Sequence, residues 1–271
     1  MIALLQAAVL GIVQGLTEFI PVSSSGHLVL VPRLLGWGDF GIAFDVSLHV
    51  GTFLAVLVYF RAEWVMVLKG FFTSLRARPS RWDEGQRLAW LIILATIPAA
   101  AAGAALSGLI EDRLWDAGPV AVFLLVGAAA MTLAEVAGKG VRGFEAIRTR
   151  DAGAMGLLQV AALAPGLSRS GITLSAGMLS GLEREAAARF SFMMLAPITA
   201  GAALYEAVNV ASEGLGGSTW GMVAAGFATS AVVGFFTVKY LLGYLRSRTL
   251  LPFIIYSLVV GSVTLIVLAV T

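Results

Sequence analysis

Two stretches of this sequence gather polar and charged side chains in apolar surroundings. One reads Gln14-Gly-Leu-Thr-Glu18-Phe-Ile-Pro-Val-Ser23-Ser24-Ser25-Gly-His27, and the other Pro165-Gly-Leu-Ser168-Arg169-Ser170-Gly171-Ile-Thr173. Between Asp151 and Glu183, Arg169 is the only charged residue. A cation at that depth in an apolar run is costly and calls for an anionic partner. Pro165 and Gly166 break the preceding helix and free backbone N–H groups, and Gly171 keeps side-chain bulk away from the turn. With the hydroxyls of Ser168, Ser170 and Thr173 and the guanidinium fork, these donors can surround a phosphate. The plainer reading is a kinked membrane helix whose arginine snorkels to a lipid headgroup.

In the first stretch Gln14 and Glu18 stand four residues apart, on one face of a helix. A carboxylate there can be the counter-ion of Arg169, a metal ligand or a general base. It can also be half of a structural pair that merely neutralises charge. His27 follows three serines, and an imidazole that titrates near neutrality suits proton transfer at a phosphoryl group. Ser24 or a neighbour is either a nucleophile activated by His27 or a donor to the phosphate. The second histidine, His49, has no such run of serines beside it and reads as structural.

The elements that must hold these groups are set by composition. Of 271 residues, 59% are hydrophobic and only 13% charged, and the mean hydropathy is +0.91. Such a chain is a polytopic membrane protein. It has no cysteine, which excludes disulfide and thiolate chemistry, and its net charge of +2 is too small to suggest a nucleic-acid partner. No cleavable signal peptide is expected, because the first basic residue is Arg33. Spanning stretches are expected near 41–60, 88–109, 119–138, 188–210, 220–240 and 250–270, with polar loops at 61–87, 110–118, 139–151, 211–219 and 241–249. The segments 1–35 and 152–183 are short apolar arms around polar turns and read as re-entrant broken helices.

These two segments resemble each other. A shift of 145 positions lays Gly11 on Gly156, Gln14 on Gln159, Ser23 on Ser168, Ser25 on Ser170 and Gly26 on Gly171. Each is followed by three spans, so the second copy enters the bilayer inverted. The fold class is therefore an all-α membrane protein forming one domain over 1–271. Each half is a re-entrant hairpin plus three transmembrane helices, with repeat 1 about 1–138, a connecting loop 139–151 and repeat 2 about 152–271. Lys and Arg crowd the loops 61–87, 139–150 and 241–249, whereas 110–118 has one arginine and 211–219 none. The positive-inside rule puts the basic loops in the cytoplasm and both termini outside.

Taken together, the (E/Q)xxxE stretch from Gln14 to Glu18, the serine turn to His27, and the PGxSRSxxT stretch from Pro165 to Thr173 closely resemble the undecaprenyl-diphosphatase family, bacitracin-resistance-type phosphatases of the bacterial inner membrane. The resemblance covers essentially the whole chain. It implies hydrolysis of undecaprenyl diphosphate to undecaprenyl phosphate, which recycles the lipid carrier for cell-wall synthesis, at a site opening towards the periplasm. It also implies catalytic roles for Glu18, His27, Ser24 and Arg169. Gln14, Ser23, Ser25, Ser168, Ser170, Gly171 and Thr173 then line the diphosphate site. Glu18 is the candidate ligand for Mg²⁺ or Ca²⁺. Many members carry Glu where this chain has Gln14, which weakens any scheme that needs two carboxylates on a metal. Expected partners are the prenyl diphosphate and the bilayer, and a homodimer is a candidate assembly. The competing class is an inverted-repeat transporter or flippase for an anionic lipid, since broken helices at the midplane also build transporters. The cluster of His27, Glu18 and serines favours chemistry over carriage, because a carrier needs no proton shuttle.

Overall fold

The computed structural model describes residues 2–213, 215 and 217–270, with the backbone alone described at 107–113, 206 and 209–213. Its described helices are, in order, α1 (Ile2–Thr17), α2 (Ser24–Leu35), α3 (Ile42–Tyr59), α4 (Arg61–Ser74), α5 (Glu84–Leu114), α6 (Ala117–Ala137), α7 (Thr149–Ala161), α8 (Arg169–Leu179), α9 (Arg184–Glu213), α10 (Trp220–Leu245) and α11 (Leu251–Val270). Six of them, α3, α5, α6, α9, α10 and α11, are long and apolar enough to cross a bilayer, and they match the six expected spans. The protein is a multi-pass membrane protein.

Both expected broken segments are helix–turn–helix pairs. In each, a serine starts the second helix: the Ser23 hydroxyl accepts from Gly26 N, and the Ser168 hydroxyl accepts from Gly171 N. These caps satisfy one orphan N–H each and leave the rest of both helix N-termini facing the middle of the protein. The preceding arms need glycine to pack. A Cβ on Gly11 would fall 2.0 Å from Thr229 Oγ1 on α10, and one on Gly156 would fall 2.6 Å from the Ala95 carbonyl on α5. With no side chain at those points, α1 lies backbone-close to α10, and α7 to α5.

The expected loops are corrected as follows. The 61–87 loop holds helix α4 and a 3₁₀ turn at Pro79–Arg81, because Val67, Gly70 and Ser74 form a buried face there. A Cβ on Gly70 would meet the Gly85 backbone at 2.4 Å, so α4 packs tightly on the start of α5. The 110–118 loop shrinks because α5 runs on to Leu114, and α9 likewise runs to Glu213. Residues 214 and 216 of the expected 211–219 loop lie outside the described residues. At the far end of the second hairpin, Asp151 belongs to the first turn of α7 rather than to a loop.

The end of the bundle that carries α4 and the 139–150 segment is tied by ion pairs. Arg142 grips Asp151 with both arms at 2.6 and 2.9 Å and also donates to the Ser180 carbonyl. Arg184 pairs with Glu135, which accepts in addition from Leu250 N. Arg189 pairs with Glu63 and lies over the Phe144 ring. The opposite end holds the exposed pair Arg33–Asp116, which solvent screens. Trp37, Trp115 and Trp220 lie towards that end, and Trp64, Trp82 and Trp90 towards the basic one, as bilayer interfaces favour.

Candidate active site

The turn after α1 is fixed by an aromatic anchor. Phe19 is fully buried and meets Phe192 of α9 edge-on, with ring centroids 5.2 Å apart. Glu18, the residue before it, is thereby held inside the protein, only 6% exposed. Its two carboxylate oxygens are used differently. Oε1 accepts from Arg169 Nη2 at 2.9 Å. Oε2 accepts from the Ser24 hydroxyl at 2.6 Å and from the Gln14 amide at 3.0 Å. Residues from both broken segments, 151 positions apart in the chain, thus meet at one carboxylate.

Arg169 is aimed by its second arm, Nη1, which donates to the Ser191 carbonyl of α9 at 3.3 Å. Below it, the Thr173 hydroxyl donates to the Arg169 carbonyl at 2.7 Å and is 2.6 Å from the Ser191 hydroxyl. Ser168 and Ser170 lie 3.1 Å apart, and Ser23 and Ser25 3.3 Å apart, so each turn carries a matching pair of hydroxyls. The turns touch where Gly166 N donates to Ser25 Oγ at 3.4 Å and Gly26 faces Gly166. Gly166 has φ +94°, and a Cβ there would fall 2.3 Å from the Val120 carbonyl. A Cβ on Gly171 would press on Ser168 and Pro21. Ser23 is the one non-glycine residue with positive φ (71°) among those described. Such backbone strain persists only where the surroundings over-determine it.

Ten of the eleven sequence-chosen residues therefore line one buried cluster at the starts of α2 and α8. His27 is placed apart. Its Nδ1 donates to the Ser23 carbonyl at 2.7 Å, and its Nε2 accepts from the Tyr256 hydroxyl of α11 at 2.6 Å with the rings stacked. Both ring nitrogens are thus engaged away from Ser24 and Glu18. The histidine that does approach Glu18 is His49, whose Nε2 lies 3.9 Å from Glu18 Oε2. His49, read from sequence as structural and remote from the serine turn, thus lies next to the Glu18 carboxylate: no spacing along the chain could show that α3 lies beside the first turn. Ser191 and Tyr256 were equally invisible, one being a serine in an apolar helix and the other an aromatic near a span end.

Gln14 Oε1 is buried without a hydrogen-bond partner, as is Gln159 Oε1 at the matching position of the second segment. Gln14 Oε1, Ser24 Oγ and a Glu18 oxygen are hard donors on one side of the cluster, the type Mg²⁺ and Ca²⁺ prefer. They are too few to hold such an ion alone, and no group of three or more His, Cys, Asp or Glu suited to a metal occurs among the described residues.

The cluster of carboxylate, serine and arginine, set between two helix N-termini in a polytopic membrane protein, has the donors and the charge with which an anion can be held beside a hydroxyl that donates to a carboxylate. The chain belongs to the family described as bacitracin resistance protein BacA, which it matches over residues 7–263. It is 45% identical over 264 residues to an undecaprenyl-diphosphatase of Trichlorobacter lovleyi, covering 95% of this chain and 94% of that one. It is also 43% identical over 258 residues to an undecaprenyl-diphosphatase of Rubrobacter xylanophilus, covering 94% and 95%.

Proposed function

We infer that this chain is an undecaprenyl-diphosphatase: it hydrolyses undecaprenyl diphosphate to undecaprenyl phosphate and inorganic phosphate, and so recycles the lipid carrier of cell-wall synthesis and confers bacitracin resistance. The observation that carries the reading is the Ser24–Glu18–Arg169 chain of hydrogen bonds. The Ser24 hydroxyl donates to a carboxylate that is itself oriented by a guanidinium, the arrangement of a nucleophile, its base and the group that aims the base.

Arg169 has donors left over after Glu18 and Ser191, and these face a diphosphate held at the starts of α2 and α8. Ser23, Ser25, Ser168, Ser170 and the backbone of Gly171 supply the remaining contacts. Thr173 holds Arg169 rather than the substrate, since its hydroxyl is spent on the Arg169 carbonyl. In the reaction, Ser24 Oγ attacks the terminal phosphorus and Glu18 Oε2 takes its proton. The lipid monophosphate leaves as an anion that needs little acid help, and a water then frees Ser24. Arg169 stabilises the charge spread over the phosphoryl oxygens. His27, held between Ser23 and Tyr256, fixes the strained start of α2. Where a divalent cation takes part, Glu18, Gln14 Oε1 and Ser24 are the residues that would hold it against the diphosphate, and it would neutralise phosphate charge there.

The prenyl tail needs an apolar surface among the spans. An apolar cavity of about 370 Å³ lies between α3, α9 and α10, lined by Val46, Val50, Ala203, Val223 and Phe227 among others. It offers an apolar surface to the prenyl chain, and the rest of the chain stays in lipid.

The two halves, 1–138 and 152–271, are inverted repeats. Supporting this, the serine caps match at Ser23 and Ser168, and the hairpin arm of each half packs on the second span of the other. Under that relation Ser24 and Arg169 occupy the same position, the first residue of α2 and of α8. One ancestral position thus serves as attacker in one copy and as anion holder in the other. The protein sits in the bacterial cell membrane with its basic end in the cytoplasm, both termini outside and the site reached from the periplasmic side. Phosphate release by the purified protein from a prenyl diphosphate tests the assignment. Intact substrate after prolonged incubation with folded protein, or transport without hydrolysis, would sink it in favour of a carrier.

A further inference from the structure

Helix α4 takes no part in the candidate active site and is too short to cross the membrane. Its 14 residues make about 21 Å of helix, against a hydrocarbon core of roughly 30 Å. One face packs on α5 through Gly70 and Ser74. A second apolar stripe lies on the other side, because helical spacing brings Val65, Leu68 and Phe72 together there, and Leu75 continues it into the turn. All four of these side chains are more than half exposed.

Beside this stripe stand cations that no acid offsets. Lys69, Arg76, Arg78 and Arg81 are exposed, and none belongs to an ion pair among the described residues. At the same end of the bundle Arg142, Arg184 and Arg189 each hold a carboxylate. The nearby acids are already engaged: Glu63 pairs with Arg189, and Asp83 caps α5 by accepting from Gln86 N. The turn that carries the arginines is pinned in place. Trp82 stacks on Trp90 of α5 with ring centroids 5.8 Å apart, and Phe71 of α4 packs on the same Trp90 ring. Trp90 Nε1 also donates to Ser74 Oγ at 2.9 Å. These contacts bring Arg78 and Arg81 to the C-terminal end of α4, next to the exposed stripe.

We propose that α4 and the turn at 75–82 form a docking surface for an anionic phospholipid. Lys69, Arg76, Arg78 and Arg81 meet the headgroup phosphate, while Val65, Leu68, Phe72 and Leu75 meet the acyl chains. The two features select this partner together. Unpaired cations alone would suit any polyanion, and an apolar stripe alone would suit any lipid. Only an anion that carries acyl chains satisfies both. The long stem of Lys69 can lie along the stripe while its ammonium reaches the phosphate level. The inference stands apart from the phosphatase reading, since no residue of that site takes part.

The test counts lipids retained by the purified protein in detergent, by native mass spectrometry, with phosphatidylglycerol titrated against phosphatidylcholine of the same chains. Each cation near an anionic surface strengthens binding about fivefold, so Lys69→Gln/Arg76→Gln/Arg78→Gln/Arg81→Gln should cut the preference for phosphatidylglycerol at least about tenfold. A control changes four other exposed cations of the same end, Lys139, Arg148, Arg150 and Arg248, to glutamine. It should keep the preference within about threefold. No preference in the wild type, or equal losses in the two quadruple variants, overturns the proposal, because the charge of the whole end would then be acting. Salt supplies a measurement on the unaltered protein. Raising KCl from about 0.05 M to about 0.5 M should release phosphatidylglycerol and leave phosphatidylcholine in place, and binding indifferent to salt refutes the headgroup contact. Inorganic phosphate added at constant ionic strength separates the sources of the anion. Lipid that stays bound supports the docking surface, and lipid displaced by phosphate marks a free-phosphate site and refutes it. Hydrolysis is not read in any arm, so a failure of the phosphatase reading would leave these outcomes unchanged.

Discussion

Replacing Arg169 by lysine keeps the charge and removes the fork, which makes it the sharpest probe of the site. The guanidinium reaches two elements at once: Nη2 is 2.9 Å from Glu18 Oε1 and Nη1 is 3.3 Å from the Ser191 carbonyl. An ammonium is one compact charge on a flexible stem and cannot hold both while also facing a phosphate. Lysine will keep the stronger partner, the Glu18 carboxylate, and give up Ser191 and the phosphate contact. Losing one preorganised transition-state donor costs roughly a hundredfold to a thousandfold in kcat, or about 2.7–4 kcal/mol. Arg169→Lys should therefore lose at least about a hundredfold in kcat. Arg169→Ala should fall further and also lose stability, because it strands a buried carboxylate at about 3–5 kcal/mol. Phosphate release from a prenyl diphosphate measures the first effect, and thermal unfolding in detergent the second. A folded Arg169→Lys protein within about tenfold of wild-type kcat would refute recognition by the fork.

Three further outcomes follow from other parts of the molecule. Single cysteines at Gly38 and Arg78, both exposed and in a chain with no other cysteine, should react with an impermeant maleimide from opposite sides of the membrane; reaction from one side refutes the proposed orientation. Gln14→Glu places a second carboxylate a helical turn from Glu18, so one of the two should become harder to ionise and the acidic limb of the pH–rate profile should move upward without a new metal requirement; a profile unmoved, or activity newly abolished by chelator, contradicts Glu18 as base. At the basic end, burial pushes the Asp151 carboxyl up, but the hydrogen bonds from Arg142 and Arg148 N outweigh it and hold the carboxyl below its usual range. Its stabilising contribution is present above the unfolded-state value, about 3.9, and is lost as pH falls through the lower folded-state value; Asp151→Asn should thus be less stable than wild type at pH 7 and approach it in strong acid, and a stability gap that does not narrow there shows that another contact is responsible.

The sequence by itself determined the six spans, because each needs only about twenty apolar residues in a row, a local property. It likewise exposed both broken segments, since proline, glycine and serine clusters interrupt apolar runs at Pro21 to Gly26 and at Pro165 to Gly171. The polar residues of the site were legible for the same reason: Glu18 and Arg169 are expensive where they stand, so each demanded a partner. Helix α4 was hidden, because its buried stripe of Val67, Gly70 and Ser74 is interrupted by charges that resemble a solvated loop. What the tertiary structure alone decided is which groups share the carboxylate. Bringing α3 beside the first turn puts His49 near Glu18, and α11 draws His27 away to Tyr256. Two histidines of one chemistry were separated into different surroundings by helices far apart in sequence, and helical spacing reports the face of a helix, not the neighbour that face meets.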